Sequence, residues 1–97
     1  MAGPSIADID VFRYNRREVT KRPTAKQGQY LAYIFHYTKI HRVAPAESDM
    51  QYYFRVTPPS VHQMVLTLEA NGFIERVPGK ARSIRLLIPW EDLPTLE

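Results

Sequence analysis

Residues 57–86 read "TPPSVHQMVLTLEANGFIERVPGKARSIRL", and the spacing of the apolar residues changes halfway along. In the first half Val61, Met64, Val65 and Leu68 recur at helical intervals and fall on one face. Thr57 suits an N-cap, Pro58 the first helical position and Gly72 the left-handed residue after the end, so the pattern predicts a helix over residues 58–71. Beyond Gly72, "FIERV" and "SIRLLI" alternate as strands do, and "PGKAR" between them supplies a Pro-Gly turn. From Arg76 to Arg85 this hairpin carries Arg76, Lys80, Arg82 and Arg85 with no acid among them.

Working towards the N-terminus, "HRVAPAESDMQYYF" at residues 41–54 predicts a short helix. Pro45 stands at or before its start, Glu47 and Asp49 lie where the helix dipole favours anions, and Met50 and Phe54 share the inward face. Only a few residues separate it from the helix after Thr57. Further back, "KRPTAKQ" contains Thr24-x-x-Gln27, a capping box that predicts a helix from Ala25 to about His41. Leu31, Ile34, Phe35 and Thr38 are its expected core stripe, and Tyr30, Tyr33 and Tyr37 a flanking one. That flank is read either as extra core, covered by Ile6, Ile9, Val11 and Phe12, or as a dimer contact. The expected division is an N-terminal extension or arm at residues 1–23, one domain at 24–89 and an acidic tail at 90–97.

Composition sets outer limits. The 97 residues, 44% apolar, suffice for one modest core. With no cysteine and three scattered histidines, neither a disulfide framework nor a metal site is expected. No apolar run approaches the roughly 18 residues that would span a bilayer, and nothing resembles a signal peptide, so a cytoplasmic protein is expected, nucleoid-associated if it binds DNA. No nucleophile with a base, paired carboxylates or phosphate loop is present, so no enzyme, cofactor or small-molecule effector is expected. The net charge of +3 is mild, but its distribution is uneven: basic in residues 13–22 and 76–85, acidic in 90–97.

Three helices, the last two closely joined, followed by a two-stranded hairpin make a mainly α fold with a small β-hairpin (α+β), a three-helix winged helix-turn-helix. A basic hairpin tip can lie along a duplex backbone, where neutralised phosphates release counterions and an acid would be repelled. The elements "TAKQ", "LAYIFHY", Pro45, "TPPSV" and "LEANGFIERVPGKARSIRL" follow one another as in the DNA-binding domain of LexA-type repressors and the wider LexA/MarR-like winged-helix regulators, which residues 24–88 resemble. The resemblance implies a repressor-like transcriptional regulator whose partner is double-stranded DNA. It does not extend to a self-cleaving Ser/Lys domain, so neither autoproteolysis nor dimerisation through that domain is carried over. Arg55 stands where the family commonly has Gly, and residues 1–23 have no counterpart in the pattern.

In this frame the third helix would enter the major groove. Pro59, Ser60, His62 and Gln63 lie opposite its core stripe; the Gln63 amide can pair with adenine, His62 can donate to guanine or phosphate, and Thr57 and Ser60 suit phosphate or capping. Lys80, Arg82 and Arg85 are the expected wing contacts, and Lys26 completes the candidate DNA-binding set. For Arg76 and Arg85, Glu75 or a C-terminal acid is the alternative partner. A homodimer is expected from the tyrosine face and the small footprint of one domain. The alternative function is a winged helix that docks another protein.

Overall fold

The computed structural model describes residues 22–97. Helix α1 spans Ala25–His41, α2 Glu47–Phe54 and α3 Pro58–Ala70; strands β1 (Ile74–Glu75) and β2 (Arg85–Leu86) follow, then a 3₁₀ turn at Trp90–Asp92. Each helix starts where local chemistry satisfies its first amides. At α1 the Gln27 N–H donates to Thr24 Oγ1 (3.1 Å) while the Thr24 N–H donates to Gln27 Oε1 (2.9 Å), the reciprocal box expected from the sequence. At α2 the Asp49 carboxylate accepts from the Ala46 N–H at 2.8 Å. Helix α2 ends at Arg55, whose φ of 57° is left-handed. A side chain in that conformation costs about 1 kcal/mol relative to glycine, which is the residue that the LexA pattern favours here. Helix α3 begins with prolines at its first two positions after Thr57, and Gly72 (φ 80°) turns the chain out of it.

The core lies where α1, α2 and α3 meet the hairpin. Tyr30, Leu31, Ile34, Met50, Val61, Val65, Leu68, Phe73 and Ile74 are buried there, with Met64 and Phe54 packed on the edge. Tyr30 belongs to this core and not to a flanking stripe: its ring stacks on Phe54 at 4.1 Å between centroids. Thr38, expected inside, is exposed because residues 38–43 outrun the core on every side, and Phe35 lies half-buried on the flank under Trp90. The tyrosine face is covered within the domain. Tyr33 packs on Tyr37, Tyr53 and Phe54, and Arg82 lies over the Tyr37 ring. The cover expected from Ile6, Ile9, Val11 and Phe12 lies outside the described residues.

The strands are antiparallel, Ile74 opposite Leu86 and Glu75 opposite Arg85, but only two residues long. The expected longer ladder stops because the Ser83 hydroxyl takes its place: Oγ accepts from the Val77 N–H (3.0 Å) and lies 2.8 Å from the Lys80 carbonyl. The tip itself is tight, with the Lys80 N–H donating to the Val77 carbonyl (3.0 Å), Pro78 second and Gly79 third with φ 79°, the pattern of a type II turn. Residues 90–97, expected as a tail, pack back onto α1. Gln29 donates to the Thr95 carbonyl (2.9 Å) and accepts from the Glu97 N–H (2.8 Å), so its amide pairs with the segment much as a neighbouring strand would. Pro94 sits against Gly28, where a Cβ would stand only 3.0 Å from its Cγ.

Candidate nucleic-acid interface

The first half of α3 presents an exposed polar surface. Thr57, Pro59, Ser60, His62 and Gln63 are all exposed, while Val61, Val65 and Leu68 on the opposite side are buried. The Thr57 and Ser60 hydroxyls lie 2.9 Å apart, and Thr57 Oγ1 also accepts from the Ser60 N–H at 3.4 Å. His62 reaches across to α2, its Nδ1 3.1 Å from Glu47 Oε2. That contact holds the imidazole against the first helix of the pair, an arrangement for which α3 alone gave no indication. The Gln63 side chain forms no hydrogen bond among the described residues, while its main-chain carbonyl accepts from Thr67 Oγ1 at 2.9 Å. An exposed amide with both a donor and an acceptor uncommitted is what reading a base edge requires.

The wing differs from its sequence. Four cations with no acid among them between residues 76 and 85 become, for three of the four, ion pairs with Glu69, Asp49 and Glu75. Arg76 Nε lies 3.1 Å from Glu69 of α3. Arg85 pairs with Glu75 across the two strands. Arg82, expected to face phosphate, remains exposed but folds its guanidinium back against the domain: Nη1 lies 2.9 Å from Tyr37 Oη, 3.1 Å from Asp49 Oδ2 and 3.3 Å from the Ala44 carbonyl. These acceptors, chiefly the Tyr37 hydroxyl, raise the Arg82 pKa above its ordinary value, so the group stays charged. Lys80 at the exposed tip has no ion pair or side-chain hydrogen bond among the described residues, and neither does exposed Lys26 in the first turn of α1. Of the residues singled out in the sequence, the fold groups Thr57, Pro59, Ser60, His62 and Gln63 on one surface. It leaves Lys80 unpaired at the wing tip and commits Arg82 and Arg85 to acids.

Sequence reasoning missed Tyr37, Asp49 and Glu47 as parts of this arrangement. Asp49 lies 33 positions from Arg82, and no local pattern announces the pair. The Glu75–Arg85 contact, by contrast, follows once the hairpin register is known. Burial pushes up the Tyr30 hydroxyl pKa, and also that of Tyr33, with Asp49 adding to the latter shift. No group of three residues suited to a metal ion occurs among the described residues, and no helix there is long and apolar enough to cross a membrane.

No family model matches the chain. Among curated proteins it is similar to the LexA repressor of Thermosipho melanesiensis, 36% identical over 73 residues, which is 75% of this chain and 37% of that protein. The LexA repressor of Bartonella quintana is 32% identical over 65 residues, 66% of this chain and 27% of that protein. That of Thermotoga neapolitana is 33% identical over 63 residues, 65% of this chain and 32% of that protein. The chain thus matches about a third of the length of these relatives. With three helices, a three-residue turn between the second and third, and a hairpin after them, the chain belongs with the LexA-type winged helix-turn-helix domains.

Proposed function

We propose that this protein binds duplex DNA in a sequence-dependent manner and acts as a repressor-like transcriptional regulator, with α3 in the major groove and the wing on the backbone. The observation that carries the reading is the exposed face of α3, where the uncommitted amide of Gln63 stands beside the hydroxyls of Thr57 and Ser60. Phosphate contacts fix register and base contacts specify sequence, so Gln63 is assigned to bases, Lys80 and Lys26 to the backbone, and Thr57 and Ser60 to phosphate as well as capping. His62 is assigned a phosphate or guanine through Nε2, the ring nitrogen not turned to Glu47. Arg85 contributes only by exchanging Glu75 for a phosphate. Such a regulator works in the cytoplasm, on the nucleoid, without chemistry or cofactor.

Selection of bound sequences from a random duplex pool tests the reading. An enriched motif that survives competition supports it, and a pool that stays random refutes it. Two copies on half-sites one helical turn apart remain our arrangement, now for footprint alone, since the tyrosine face is already covered. Sedimentation with and without the selected site distinguishes one copy from two. Of the tyrosine stripe that favoured a protein-docking role, Tyr30 is buried and Tyr33 and Tyr37 are partly covered, while Tyr52 stays exposed; a docking module need not show a steep dependence on salt.

A further inference from the structure

The wing has little to hold it in place. Two paired residues make a hairpin that is at best marginal alone, and its tip projects beyond them. Arg82 supplies an anchor from outside the hairpin. Its Nη1 meets acceptors from three separate segments: Tyr37 near the end of α1, Ala44 in the following loop and Asp49 in the first turn of α2. The Asp49 oxygen that accepts from Arg82 also accepts from the Ala46 N–H at the start of α2. One carboxylate oxygen therefore serves the wing and the first helix of the helix-turn-helix together. The chain passes Arg82 in left-handed backbone (φ 56°), two residues after Lys80 and just before β2. We propose that Arg82 is a positioning residue: it latches the wing to α1 and α2 and so sets where Lys80 is presented, and it is not itself a contact to nucleic acid.

Two kinds of measurement test the latch. The first rests on the proposed DNA binding. A phosphate contact would make Arg82→Ala lower the salt slope by about 0.9, Arg82→Lys retain most of that slope, and Asp49→Asn raise affinity by removing an anion and freeing a cation. The latch requires a different pattern, in which even Arg82→Ala leaves the salt slope in place. Arg82→Lys and Tyr37→Phe lower affinity for all sequences alike with the salt slope kept, because a lysine keeps the charge but its ammonium stops one bond short of the position from which Nη1 reaches all three acceptors. Asp49→Asn lowers affinity too, although it removes a negative charge. A loss of slope on Arg82→Ala together with unchanged binding in Tyr37→Phe overturns the proposal. The second measurement needs no DNA: thermal melting of Arg82→Ala, Tyr37→Phe and the double variant. Non-additive losses support the latch, and strictly additive ones overturn it. A chain that binds no duplex but melts non-additively would refute the function proposed above and leave the latch standing.

Discussion

The charge pairing of the wing makes Lys80→Ala a quantitative test of the DNA binding proposed for this domain. Each phosphate neutralised on a duplex contributes about 0.9 to the slope of log affinity against log salt. If all four wing cations met phosphates, the wing would account for a slope near 3.6, an affinity change of about 150-fold between roughly 50 and 200 mM salt. The structure gives a smaller figure. Arg76, Arg82 and Arg85 each face an acid, and moving such a pair onto DNA brings a repelled carboxylate along with the cation. Only Lys80 among the four lacks an acidic partner in the described residues, so the wing should supply a slope of about one, or about 3.5-fold over the same salt range. Fluorescence anisotropy of an unrelated duplex, titrated at several salt concentrations, measures this directly. Lys80→Ala should lower the slope by about 0.9, and Arg76→Ala should leave it nearly unchanged. A slope indifferent to Lys80→Ala, or one that falls equally with each of the four replacements, would refute the reasoning.

Gln63→Ala should cost about 1 to 3 kcal/mol on the selected sequence and little on random duplex, a difference read by competition binding. Gly28→Ala should gain about 1 kcal/mol of helix propensity but lose more against Pro94, 3.0 Å from the new Cβ, so the melting temperature should fall. In a Pro94→Ala background the same change should raise it. The buried tyrosines set an alkaline limit: below pH about 10 both folded and unfolded chains keep these protons, whereas above it the unfolded chain releases them first, so stability falls as pH rises. Tyr30→Phe should flatten that fall, as melting measured from pH 8 to 11 would show.

The helix boundaries were legible because they depend on neighbours in sequence. Thr24 with Gln27, Thr57 with Pro58, and Gly72 each act within four residues, and the structure uses all of them. The exposed face of α3 followed from the same periodicity that placed Val61, Val65 and Leu68 inside. What the sequence concealed depends on tertiary contact. Tyr30 carries a hydroxyl and reads as a boundary residue until Phe54 stacks on it. The shortened strands reflect one serine side chain bonding across the hairpin, and alternation of apolar residues cannot reveal that. That residues 90–97, read as an acidic tail, dock on α1 while staying largely exposed was not legible, because their partners Gly28 and Gln29 lie at the other end of the domain in sequence. Above all, a run of cations looks unopposed only while the chain is viewed as a line; Glu69 and Asp49 arrive through the fold.

The two prolines that open α3 give its start an unusual character for a helix proposed to face a polyanion. Pro58 and Pro59 have no amide hydrogen, and the next one, on Ser60, is already turned to Thr57 Oγ1. A phosphate approaching this end therefore meets the positive pole of the helix without the fan of main-chain N–H groups that usually accompanies it. Directional contact falls to the Thr57–Ser60 hydroxyl pair, in which one proton joins the two oxygens and one is left to point outward. Attraction at that end is then diffuse, with a single hydrogen to aim it. On a duplex bound as proposed, the helix could turn or slide slightly over the backbone at small cost, and its register would come from what its own side chains meet further along.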